Sequence, residues 1–126
     1  MTRPHAILIA DDEPALRQLV RVALTGRPYR VLEAADGEAA WAVLQAERPA
    51  LAILDIAMPG RDGLALTRAI RADATLERTR VIVLTGLVGA ELEAQSLAAG
   101  ADYYLRKPFW TQQLLDTIEG CLREGG

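Results

Sequence analysis

The chain of 126 residues has one cysteine, one histidine and one phenylalanine. A single cysteine, Cys121, excludes an internal disulfide framework and any cysteine-ligated zinc site. A single histidine, His5, excludes multi-histidine metal sites and leaves histidine chemistry almost no foothold. No apolar run approaches the ~20 residues that cross a bilayer, and residues 1–6 do not read as a signal peptide. Positive charge is not in excess either: 14 Lys and Arg stand against 17 Asp and Glu, a net charge of -3. Nucleic-acid and anionic-membrane binders need a basic footprint, so neither class fits the chain as a whole. Aliphatic material is plentiful, with 51% apolar and 25% charged residues. That suits one core under a solvated surface. One domain over 1–126 is expected, with residues 1–5 as a stub and 124–126 as a tail, in a reducing compartment such as the cytoplasm.

Two kinds of segment alternate. Short unbroken runs of Ile, Leu and Val occur at Ala6–Ala10, Ala50–Leu54 and Val81–Leu84, with shorter ones at Tyr29–Leu32 and Tyr103–Leu105. Runs without a polar alternate predict strands covered on both faces, as in a parallel sheet. Between them, apolar residues recur every three to four positions: Leu16, Leu19, Val20 and Ala23; Ala39, Ala40, Val43 and Leu44; Leu64, Leu66, Ala69 and Ile70; Leu92, Ala94, Leu97 and Ala98; Leu114, Leu115, Ile118 and Leu122. These predict five amphipathic helices. Gly26, Pro28, Pro49 and Gly100 stand where helices should stop, and Asp62 where the third should be capped. Strand and helix repeated five times predicts a doubly wound α/β fold with helices on both faces.

Sites in such sheets form at the carboxyl ends of the strands. Asp11, Asp12 and Glu13 follow the first strand, Asp55 the third, Thr85 the fourth and Lys107-Pro108 the fifth. A phosphate-cradling first loop would need glycines or hydroxyls where this chain has two carboxylates, which argues against a nucleotide cofactor. Each carboxylate pair at ~5 Å repels by roughly 3 kcal/mol in a medium of effective dielectric ~20. Raised pKa values or a hard cation, Mg2+ or Mn2+, would relieve it. A cation would also let Asp55 act as a nucleophile towards phosphorus.

Asp11-Asp12-Glu13, the stretch from Leu54 to Gly63, Thr85-Gly86 and the stretch from Gly100 to Phe109 lie in order at a recognisable spacing. Together they resemble the receiver domain of a response regulator, chemotaxis-regulator-like, over essentially the whole chain. The resemblance implies strand order 2-1-3-4-5, which periodicity alone does not supply. It implies phosphorylation of Asp55 by a sensor histidine kinase or a phosphotransfer protein. It implies a metal held by Asp12 directly, by Asp11 through water, by Asp55 and by the backbone carbonyl of Ala57. Lys107 matches the family's lysine, Thr85 its switch hydroxyl, Tyr104 the aromatic that follows Thr85 inward, and Lys107-Pro108 its cis bond. The output expected is a shift of the fourth helix, fifth strand and fifth helix, the face on which a downstream target would dock. The domain itself would touch neither nucleic acid nor membrane. It would be a monomer or a phosphorylation-dependent homodimer, and no enzyme beyond gaining and losing its own phosphoryl group.

Rival readings belong beside this one. A pseudo-receiver keeps the fold and never takes phosphate, against which the full set of Asp12, Asp55, Thr85 and Lys107 argues. An aspartyl-phosphate phosphatase needs a second aspartate two residues after the nucleophile, where Ala57 stands. Ala57 and Leu87, both apolar, occupy positions that tune phosphoryl lifetime in the family, so a long-lived state is expected. Gly86 replaces a more usual alanine. Tyr103 follows Asp102 where winged-helix regulators often carry an acid, and Arg123 is the only basic residue from Thr111 onward. Both weaken the case for that subgroup's symmetric dimer. Trp110 reads first as packing for the fifth helix and second as an anchor for a partner.

Overall fold

The computed structural model describes residues 5–86 and 90–125. Elements alternate as β1 (His5–Ala10), α1 (Pro14–Ala23), β2 (Tyr29–Ala34), α2 (Gly37–Glu47), β3 (Leu51–Asp55), α3 (Gly63–Arg71), β4 (Arg80–Thr85), α4 (Ala90–Ala99), β5 (Tyr103–Arg106) and α5 (Thr111–Gly125). One 3-10 turn, Ala74–Leu76, lies between α3 and β4 and was not foreseen. The five strands are all parallel, in the order β2-β1-β3-β4-β5 that the resemblance implied.

Both expected ends are corrected. His5 is no stub: it opens β1 in register with Tyr29, because β2 offers a backbone partner that far down. Residues 124 and 125 lie within α5, which continues past Gly120 to Gly125.

Successive strand residues point to opposite faces, which explains the unbroken apolar runs. Ile7, Ile9, Leu51, Ile53, Ile82 and Leu84 pack against α1 and α5 through Val20, Leu24, Leu114 and Ile118. Leu8, Ala10, Ala52, Leu54, Val81 and Val83 pack on the other face with Ala40, Leu44, Leu66 and Ile70 from α2 and α3. Burying one such large aliphatic side chain contributes about 1.5–3 kcal/mol. Asp36 and Asp62 cap α2 and α3, accepting from the N–H of Ala39 and Ala65 at 2.8 Å. Each cap contributes about 1 kcal/mol.

Two helices depart from the expected stripes. Leu19 is exposed on α1, leaving Val20 and Leu24 to the core. On α4 the face turned inward runs through Leu92 and Ser96, while Ala94 and Ala98 are exposed and Leu97 is 49% exposed. Ser96 can be buried there because its hydroxyl donates to the Leu92 carbonyl at 2.8 Å.

Candidate functional site

The carboxyl edge of the sheet gathers the residues that the chain order keeps far apart. Asp55 closes β3 and is 4% exposed, its Oδ1 accepting the Ala57 N–H at 3.2 Å. Asp11 follows β1, fully buried, and its Oδ1 accepts the Glu13 N–H at 2.9 Å. Asp12 beside it is exposed. One oxygen from each of Asp11, Asp12 and Asp55 lies within 4.8 Å of the others. Lys107 reaches over from the end of β5, placing Nζ 2.8 Å from Asp11, 3.3 Å from Asp55 and 3.6 Å from Glu13. Its Lys107-Pro108 bond is cis, as expected. Thr85 ends β4, fully buried, and its carbonyl accepts the Lys107 N–H at 2.8 Å, tying β4 to the lysine-bearing loop.

One lysine does not balance three carboxylates. Burial pushes the Asp55 carboxyl above the usual carboxylate range, and the charge of Asp11 pushes it further, against the pull of Lys107. Burial alone would lower the Lys107 ammonium, but its hydrogen bond to Asp11 and the charges of both aspartates hold it above the ordinary lysine value. The site therefore has negative charge to spare, at oxygen atoms and next to solvent through Asp12. Three hard oxygens with water access suit a divalent cation such as Mg2+.

The backbone around Asp55 is crowded. At Gly63, the start of α3, an added Cβ would lie 2.6 Å from the Asp55 carbonyl oxygen. Only glycine lets α3 begin that close to the end of β3. The Gly63 N–H donates to the Ile56 carbonyl, and the Ile56 N–H to that of Leu84.

Tyr104 lies next to Val83 in the β4–β5 register and is half-buried against the core face made with α2 and α3. Its hydroxyl is buried and has no hydrogen-bond partner among the described residues. Of the two residues expected to tune phosphoryl lifetime, Ala57 is exposed, and Leu87 lies outside the described residues. Trp110 corrects the first expectation: it is 82% exposed and does not pack α5 down. Trp41, half-buried on α2, carries the Arg61 guanidinium 5.2 Å from its ring centre, on the loop that follows Asp55.

Sequence reasoning missed two arginines. Arg17 donates to the Asp11 carbonyl at 2.7 Å and pairs with Glu33 at 3.3 Å, so it braces the acidic loop from below. Arg71 donates to the carbonyls of Gly100 and Thr79 and to Asp102, each at 2.8 Å, riveting the end of α4 to α3 and β4. Position offers a partial signal for Arg17, six residues after Asp11 and near the start of α1. Arg71 had none, since its acceptors lie far away in sequence.

The comparisons agree with this geometry. Residues 7–119 match the family model of the response regulator receiver domain. The phosphate regulon transcriptional regulatory protein PhoB of Pseudomonas aeruginosa is 36% identical over 120 residues, covering 95% of this chain and 52% of that protein. Response regulator MprA of Mycolicibacterium vanbaalenii is 37% identical over 120 residues, covering 95% and 51%. The chain thus spans about half the length of these curated relatives. The structure of the chemotaxis response regulator CheY4 of Vibrio cholerae superposes with a TM-score of 0.87 at 33% identity, covering 94% of this chain and 98% of that one. Family match, sheet order and the acidic edge agree: this chain belongs to the response regulator receiver domains of two-component systems.

Proposed function

We propose that Asp55 accepts a phosphoryl group from a phosphohistidine on a sensor histidine kinase or a phosphotransfer protein. Convergence of Asp11, Asp12 and Asp55 beneath Lys107 carries this reading. Asp12 would hold Mg2+ or Mn2+ directly, Asp11 through water, with Asp55 and the Ala57 carbonyl completing the protein ligands. When bound, the cation supplies charge neutralisation for the incoming phosphoryl oxygens. Asp55 attacks phosphorus; the P–N bond breaks as the P–O bond forms, and its electron pair returns to the donor imidazole. Lys107, already 3.3 Å from Asp55, binds a phosphoryl oxygen once the group arrives.

Thr85 then donates its hydroxyl to the phosphoryl group, and Tyr104 takes the space Thr85 leaves. Among the described residues the Tyr104 hydroxyl has no hydrogen bond that this movement would break. The shift of α4, β5 and α5 is the output, read by a downstream protein on that face or by phosphorylation-dependent homodimerisation of the monomer. Neither nucleic acid nor membrane is contacted by this domain, and it works in the cytoplasm. Among the described residues no helix is long and apolar enough to cross a membrane. The methyl group of Ala57 orients no attacking water, which favours a long-lived phosphoryl state.

Beryllium fluoride, an acyl-phosphate mimic, tests the reading. Titrated with Mg2+ present, it should change the fluorescence of Trp41, whose partner Arg61 stands on the loop after Asp55. The change should persist in Trp110→Phe and vanish in Asp55→Asn. A signal unchanged by Asp55→Asn would contradict it.

A further inference from the structure

At the opposite edge of the sheet, the amino ends of β1, β2 and β4 border a cleft of about 480 Å³. Its charge is the reverse of the acidic edge. Arg30, Arg48, Arg78 and Arg80 line it with His5, against one lining carboxylate, Glu47. Four of the chain's thirteen arginines thus border one cleft. Two of them are already engaged: Arg30 pairs with Glu47 at 3.0 Å and Arg80 with Asp102 at 3.3 Å. Among the described residues, the side chains of Arg48 and Arg78 form no ion pair and no hydrogen bond. Asp73 feels the field of Arg48 without pairing with it.

Cations gather at helix carboxyl ends for dipole reasons, and Arg48 caps α2. Arg30 and Arg80 lie on strands and Arg78 on the approach to β4, so the helix end does not explain them. Arg48 also holds φ at 44°, left-handed backbone that glycine adopts at less cost. A side chain with a forked donor is placed there instead.

We propose that this cleft binds a compact polyanion bearing two or more phosphate charges, an organic or inorganic di- or polyphosphate. Guanidinium forks match phosphate oxygens bidentately. Two unpaired cations facing one space call for at least two negative charges, which a diphosphate supplies within a small volume. The cleft lies in the range of small-ligand sites, roughly 300–1,000 Å³. The site is independent of phosphorylation at Asp55, since it sits at the other end of the strands.

Calorimetry and amide chemical-shift mapping on the whole chain test it, with inorganic pyrophosphate, ADP and citrate at physiological salt and no divalent cation. Pyrophosphate should bind saturably at one site, shifting the amides of Ala6, Arg30, Arg48 and Arg78 and sparing those of Asp11 and Asp55. Arg48→Ala with Arg78→Ala should weaken binding by about tenfold or more, with an unchanged melting temperature. Comparable affinity for ADP would identify an organic source, and preference for pyrophosphate an inorganic one. Absent saturation, shifts confined to the acidic edge, unchanged affinity in the double variant, or citrate binding as tightly as pyrophosphate would each overturn the proposal. Shift mapping on the wild type needs no variant to fold.

Discussion

Asp55 carries its negative charge at a cost, and that cost is measurable. Its carboxyl lies above the ordinary range, first because it is buried and second because Asp11 is near. Below the ordinary carboxylate value of about 4 it is protonated in both folded and unfolded chains and costs nothing. As pH rises from that ordinary value through the raised one, the unfolded chain ionises first and the folded state loses stability. Asp55→Asn should therefore raise the melting temperature at neutral pH, and the gain should fade as pH falls below about 4. Melting curves at several pH values check the sign. Tyr104→Phe makes a second residue-scale prediction: deleting a buried hydroxyl that has no partner among the described residues should raise stability by about 1 kcal/mol in denaturant unfolding, while blunting the response to beryllium fluoride. At this scale Asp11, Asp12, Asp55, Thr85 and Lys107 were legible in the sequence, because strand ends in a parallel sheet share one edge. Arg17 and Trp110 were not. The path of a long side chain back to a loop carbonyl, and the direction of a tryptophan at a helix start, depend on neighbours that no local pattern encodes.

The elements were legible where burial was complete and obscure where it was shared. β1, β3 and β4 are covered on both faces, so their apolar runs could be read directly. In α4 the stripe through Ala94, Leu97 and Ala98 points outward, and the inward face uses Ser96, a polar residue satisfied by its own helix. Hydrophobic periodicity cannot see such a residue. The start of α3 depends on close approach, not on pattern. Gly63→Ala would place a Cβ 2.6 Å from the Asp55 carbonyl oxygen. It should destabilise the fold by several kcal/mol and slow phosphorylation even where the protein is still folded, which stopped-flow uptake from a small phosphodonor would read. Gly86 behaves oppositely. A Cβ there meets nothing within 4 Å, so Gly86→Ala should stabilise by about 0.4–1 kcal/mol in thermal unfolding through the unfolded chain.

The whole molecule is polar in charge along its strands, acidic at the carboxyl edge and arginine-lined at the amino edge. On the proposed function, the acidic edge takes a cation that binds the folded chain and not the unfolded one. Mg2+ at 100 times its dissociation constant should add about 2.7 kcal/mol to stability, and Asp12→Ala should abolish the shift without lowering the metal-free melting temperature. The acidic constellation was accessible because strand and helix alternate without interruption and strand ends then share one edge, whereas the strand order came only with the family resemblance. The arginine-lined cleft was not accessible, because Arg30 on β2, Arg48 after α2, and Arg78 just before and Arg80 at the start of β4 come from three separate stretches of chain and no motif joins them. Intact mass after treatment with acetyl phosphate and Mg2+ tests the central claim most directly. A gain of one phosphoryl group, abolished in Asp55→Asn and retained in Tyr104→Phe, is the predicted result. No gain by the folded wild type with Mg2+ present, or a gain that survives Asp55→Asn, would contradict it.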